Sequence, residues 1–204
     1  MNRSIFTLLV AMLVTTPFAH ATIIQYAANL RGPSEAPPYA SPATGSAVVT
    51  VDDILNTLRV EVSFSGLLAV TTAAHIHCCT ATPLTGTVGV ATTTPSFAGF
   101  PLGVTAGSYD NTLDMTLAAS YNPSFLAAQG GTTAAAEAFL FNGLSLDRAY
   151  FNLHTAQFPA GEIRGFLMRV SQPVPEPATL ALFGLGLAGL GWRYRKQACL
   201  SVPA

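Results

Sequence analysis

Apolar and polar positions alternate in short runs over most of the chain between Thr22 and Ser171. Leu58, Val60, Val62 and Phe64 point to one side, and Arg59, Glu61 and Ser63 to the other, which is the two-residue period of a half-buried strand. Thr22 to Leu30, Gly45 to Asp53, Thr71 to Cys79, Gly86 to Thr94, Ser108 to Leu117, Ala149 to Thr155 and Glu162 to Ser171 read as further strands. Ser108 to Leu117 fits either one strand or a hairpin, and two glycines weaken Gly86 to Thr94. Asp53 to Asn56 reads as a turn. Arg31 to Ala43, with four prolines and a glycine, and Pro95 to Gly107 read as loops. Two short helices interrupt the strands. Asn122 caps the first, Pro123 occupies its first position and Gly130-Gly131 closes it. The second runs from Thr133 to Phe141 and stops at Asn142-Gly143. The pattern predicts an all-β, mainly antiparallel sandwich or barrel with one or two short helices.

Two blocks carry more polar side chains than the rest. In Ala149 to Gly165, AYFNLHTAQFPAGEIRG, the residues Tyr150, Asn152 and His154 share one strand face. Pro159-Ala160-Gly161 turns the chain, and Glu162 and Arg164 follow on one face of the next strand. In Ala73 to Cys79, AAHIHCC, the residues His75 and His77 share a face about 7 Å apart along the strand. Such clustering stands out because only 9% of the chain is charged.

The two ends are apolar for a different reason. Met1 to Ala21 has a basic start at Arg3, an apolar run from Ile5 to Val14 and an Ala19-His20-Ala21 cleavage site, the plan of a secretory signal peptide. From Val174 onward come Pro175-Glu176-Pro177, an apolar run from Ala178 to Trp192, and Arg193, Arg195 and Lys196. That run of about 15 residues is short against the roughly 20 that cross a bilayer, but Trp192 at the interface and snorkelling basic side chains would let it span. Basic residues stay cytoplasmic, so the body would face outward. The chain thus divides into a signal peptide (1–21), a β-domain (22–173), a sorting and transmembrane segment (174–196) and a tail (197–204).

With 204 residues, 50% of them hydrophobic, the chain has a mean hydropathy of +0.44, and much of that excess lies in the two ends. The body of roughly 150 residues can bury one sizeable core. It contains no lysine, and its five arginines are outnumbered by nine acids, which excludes the basic footprint nucleic acid requires.

The carboxy-terminal order of Pro175-Glu176-Pro177, apolar run and Arg193, Arg195, Lys196 resembles the PEP-CTERM sorting signal of Gram-negative bacteria. The resemblance implies cleavage near Pro175–Pro177 by an exosortase, an intermediate anchored in the inner membrane, and release to the cell surface or extracellular matrix. The blocks GPSEAPPYASPATGSAVVTVDDILNTLRVEVSFSGL, TAAHIH and AYFNLHTAQFPAGEIRGFL resemble the CHRD domain, over roughly Ile24 to Val170. That family implies an immunoglobulin-like β-sandwich or barrel without established catalysis, and so a binding or structural role. An exopolysaccharide or a surface protein is the partner such a matrix role would call for.

The candidate chemistry is narrow. His75, His77 and His154 are the three histidines of the body, and with Glu162 they would suit Zn²⁺ or Cu²⁺. His-x-His in an exported β-domain is also similar to copper/zinc superoxide dismutase, whose centre needs more histidines than these. A small metalloprotein or redox metalloenzyme is therefore the alternative to a purely structural domain, in which the same histidines would hydrogen-bond backbone or Glu162. Glu162 and Arg164 read as an ion pair bridging strands or a buried anchor for the Pro159–Gly161 turn, or Arg164 as a ligand contact. Acid–base work by Glu35 and Glu162 would need a shared cleft. Cys78 and Cys79 read as a vicinal disulfide, metal thiolates, a link to another chain or buried thiols. No nucleophile elbow, phosphate loop, dinucleotide motif or zinc-protease helix is present.

Overall fold

The computed structural model describes residues 23–38, 40–171, 185 and 187. Eight strands form one sheet: β1 (Ile23–Arg31), β2 (Thr44–Asp52), β3 (Thr57–Ser65), β4 (Thr71–His77), β5 (Gly107–Asp114), β6 (Tyr150–Thr155), β7 (Ile163–Phe166) and β8 (Met168–Arg169). Their order is β4-β6-β7-β1-β2-β3-β5, with β8 pairing β1, and every pairing is antiparallel. The sheet curls into a half-barrel, an all-β fold that carries, among the described residues of the domain, two short α-helices, α1 (Pro123–Ala128) and α2 (Thr133–Ser145).

The alternation seen in the sequence selects the buried face. Leu58, Val60, Val62 and Phe64 of β3 are buried, as are Ala47, Val49 and Val51 of β2. Asp52 Oδ1 accepts from the backbone N–H of Ile54 and Leu55 and so closes the β2–β3 turn. The same core takes in Ala74 and Ile76 of β4, Phe151 and Leu153 of β6 and Ile163 of β7. Helix α2 packs Ala136, Leu140 and Leu144 into it. Asn122 Oδ1 caps α1 by accepting from Ser124 N–H, with Pro123 in the first turn.

Three elements differ from the sequence expectation. Residues 86–94 are not a strand: they pair with neighbouring backbone only at isolated bridges, His77 with Val90 and Thr92 with Tyr121, and hold to β4, β6 and β7 through single hydrogen bonds. They run instead as a strap over β4 and β6. Strand β5 ends at Asp114, whose Oδ1 accepts from Thr116 and turns the chain before Leu117. Helix α2 continues through Asn142-Gly143 to Ser145. Gly143 is there for space rather than as a stop: a Cβ on it would lie 2.1 Å from Cys79 Sγ and 2.4 Å from Cys78 Sγ.

From Ser171 the chain forms a second compact unit, in which only residues 171, 185 and 187 are described. The signal peptide and the tail lie outside the described residues, as does the sorting segment apart from those two positions. No helix among the described residues is long and apolar enough to cross a membrane.

Candidate metal centre

Strands β4, β6 and β7 lie side by side at one end of the sheet, in the register His75↔Asn152, His77↔Tyr150 and Asn152↔Arg164. Ala74, Ile76, Phe151, Leu153 and Ile163 take the core side. The alternate positions therefore place His75, His77, Tyr150, Asn152, His154 and Arg164 together on the opposite face. That face is not left to water: His75, His77, Tyr150, Asn152 and Arg164 are all buried, and His154 is half-buried. The strap at residues 86–90, Pro95, Ser34-Glu35 and the turn at 159–161 cover it.

The cover works through backbone carbonyls. His75 Nε2 bonds Pro95 O at 2.7 Å, His77 Nδ1 bonds Val88 O at 2.8 Å, and His154 Nδ1 bonds Pro159 O at 2.9 Å. A carbonyl oxygen only accepts, so each of these nitrogens carries the proton. The lone pairs are thereby assigned to His75 Nδ1, His77 Nε2 and His154 Nε2. All three atoms are sealed from solvent and have no hydrogen-bond partner among the described residues.

The rings sit close together, with centroids 5.2 Å (His75–His154), 5.7 Å (His77–His154) and 6.0 Å (His75–His77) apart. One ring nitrogen from each lies within 4.8 Å of the others. Three nitrogens around one ion at about 2 Å each would stand about 3.4 Å apart, so a modest inward movement completes the geometry. Burial pushes the pKa of His75 and of His77 down to about 4, and that of His154 down as well. All three are then neutral at pH 7, the form that ligates a metal. Backbone acceptors on the opposite ring nitrogens are the usual outer support of histidine ligands. The donor set fits a transition-metal ion.

Glu162 does not join the cluster. It is fully buried, and its oxygens accept from Ser41 Oγ (2.7 Å), Leu68 N–H (2.8 Å) and Thr155 Oγ1 (2.9 Å), tying two loops to β6. Nor does it pair with Arg164. Arg164 donates to Ser34 O and to Gly86 O, approaches Glu35 Oε2 at 3.8 Å and lies over the Tyr150 ring at 4.8 Å. Glu35 and Glu162 thus have different partners. Burial raises the Glu35 carboxyl to about 7, against the opposing pull of Arg164.

Tyr150 was visible in the alternation, but its role was not. It stacks on His77 with centroids 4.8 Å apart, and its hydroxyl bonds the Val88 backbone that also fixes His77. Asn152 donates from Nδ2 to Ala160 O. A Cβ on Gly161 (φ +125°) would lie 2.3 Å from the Asn152 amide, so the turn needs glycine both for its conformation and for room. Cys78 and Cys79 are joined as a vicinal disulfide next to His77. With Phe125 and Phe139 they line an open cleft of about 340 Å³.

Fold and site together define the body as an all-β domain with a buried histidine centre on the covered end of its sheet. A CHRD domain model matches residues 26–167, more than half of the chain, and the chain belongs to the CHRD domain family. A PEP-CTERM protein-sorting motif matches residues 173–196. That motif marks an exported protein that is processed by an exosortase and reaches the cell surface. Neither a curated relative nor a solved structure matches the chain.

Proposed function

We propose that this protein is an exported, surface-destined binding domain that holds one zinc or copper ion at His75, His77 and His154, and that it acts by binding rather than by turnover. The carrying observation is the set of three sealed imidazole nitrogens, each freed of its proton by a backbone hydrogen bond on the far side of its ring. Orphaned buried polar atoms cost free energy, and three in one place are best explained by a shared partner. The sorting segment would hold the domain on the outer side of the inner membrane until cleavage near Pro175–Pro177. Release would deliver it to the surface or the extracellular matrix, next to exopolysaccharide or surface proteins.

The test is elemental analysis of the exported protein, purified without a histidine tag. About one zinc or copper per chain is expected, and its loss in the His75→Ala/His77→Ala variant. A metal-free protein that stays so when zinc or copper is added would overturn the metal role and leave the histidines to packing. A mature protein that keeps its carboxy-terminal segment in the membrane would overturn release.

A further inference from the structure

We infer that the three-histidine centre selects monovalent copper over divalent zinc. This rests on the metal reading above and concerns the charge and coordination number of the ion. The donor set is electrically neutral, because Pro95, Val88 and Pro159 fix each ring as an uncharged imidazole with one inward lone pair. Among the described residues, the cluster of ligand atoms holds the three histidines and no carboxylate. Glu162 is spent on Ser41, Leu68 and Thr155, and Glu35 faces Arg164. The formal charge that acts on His77 is itself positive: Arg164 lies over Tyr150, which stacks on His77. Two further sealed acceptors have no partner among the described residues: Asn152 Oδ1, which is neutral, and Glu35 Oε1, whose carboxyl lies 3.8 Å from the Arg164 guanidinium.

Two physical terms then separate the ions. Desolvation cost rises with the square of the charge, so a monovalent ion of similar size loses about a quarter of what a dication loses on burial. Arg164, one ring beyond His77 and 3.8 Å from Glu35, brings a dication no anionic ligand. Coordination number points the same way. Zinc almost always takes four ligands, and the histidine cluster supplies three. Monovalent copper, with a filled d shell, is satisfied by three nitrogen donors in a plane.

The experiment uses the exported protein, stripped of metal by a chelator, with the Cys78–Cys79 disulfide closed. Cuprous ion is titrated anaerobically against a coloured copper(I) chelator, and Zn²⁺ against a coloured zinc chelator. One cuprous ion per chain should survive desalting and be lost in His77→Ala, while zinc should be lost from the native chain on desalting. If neither ion binds, the metal reading itself fails. If zinc is held one per chain as tightly as cuprous ion, the metal reading stands and the copper inference is overturned. Asn152→Asp sharpens the test by adding one negative charge on the same face. Because the attraction scales with ionic charge, the gain for zinc should be about the square of the gain for cuprous ion, about 100-fold against about 10-fold. Equal gains would overturn the charge argument. If that variant does not fold, the native-chain titrations still decide.

Discussion

The two ends of this sheet use the same alternation to different effect. On β3 and β5 the outward positions carry Arg59, Glu61 and Asp110, which form a solvated cross-strand ion cluster with side-chain exposures of 46%, 36% and 55%. On β4, β6 and β7 the outward positions carry His75, His77, Asn152 and Arg164, and these are 7% exposed or less. At the first end polar residues face water and their interactions are screened. At the second, loops have been laid over the polar face, so every donor and acceptor there must find a protein partner or an ion. A sheet face becomes a site when it is covered, not merely when it is polar.

The comparison breaks most visibly at its arginines. Arg164→Met would leave Glu35 buried beside no cation and strip Ser34 O and Gly86 O of their donor. The expected loss is about 3–5 kcal/mol in chemical denaturation. Arg59→Met should leave the unfolding midpoint within experimental scatter. Equal effects of the two would erase the distinction between the ends.

Gly161→Ala comes next, since it forces a side chain into a positive φ and into the Asn152 amide. About 3 kcal/mol should be lost, with metal content falling as the His154 turn shifts. Gly143→Ala pushes a methyl against both sulfurs of the disulfide and should cost about 1–3 kcal/mol, read as a lower melting temperature with metal content retained.

The smallest effect is a pH dependence confined to the covered end. His75 and His77 titrate near 4 in the folded protein against 6.5 when unfolded, so between those values the unfolded chain binds more protons. Stability of the metal-free protein is therefore complete above about 6.5 and falls as the pH drops towards 4. Glu35 acts in the opposite sense. Its carboxyl is raised from 4.5 to about 7, so its contribution is complete below 4.5 and is lost as the pH rises to 7. His75→Gln/His77→Gln should flatten the acid-side fall in unfolding midpoint, and Glu35→Gln should steepen it. An unchanged profile in both variants would mean that these groups are solvated like those on β3 and β5.

Residue type and a two-residue period were enough to place His75 with His77, and Tyr150, Asn152 and His154 with one another, because alternation on a strand is strict. The cover was not legible. Val88, Pro95 and Pro159 act through carbonyl oxygens, which every residue possesses and no sequence pattern marks. Alternation carried back to Glu162 would place it beside Arg164, but β7 begins only at Ile163. Gly161 sets a turn just before, and the Glu162 carboxylate ends among partners wholly different from those of Arg164. Gly143 misled because a glycine late in a helix looks the same whether it ends the helix or makes room for a neighbour. Residues 86–94 had strand-like composition, but their two glycines suited a strap that bends to deliver single carbonyls.

The place of β1 in the sheet has a consequence for export. It is flanked by β2 on one side and by β7 and β8 on the other. In a passage through the membrane that starts from the amino end, β1 would be the first strand to emerge and β2 the next, covering one edge. Its other edge waits for the last strands of the domain, with backbone donors and acceptors open to any passing chain. The half-barrel therefore closes only when the segment leading into the sorting motif has itself crossed. In such a passage, completion of the fold and arrival of the sorting signal would be nearly the same event in the life of the chain.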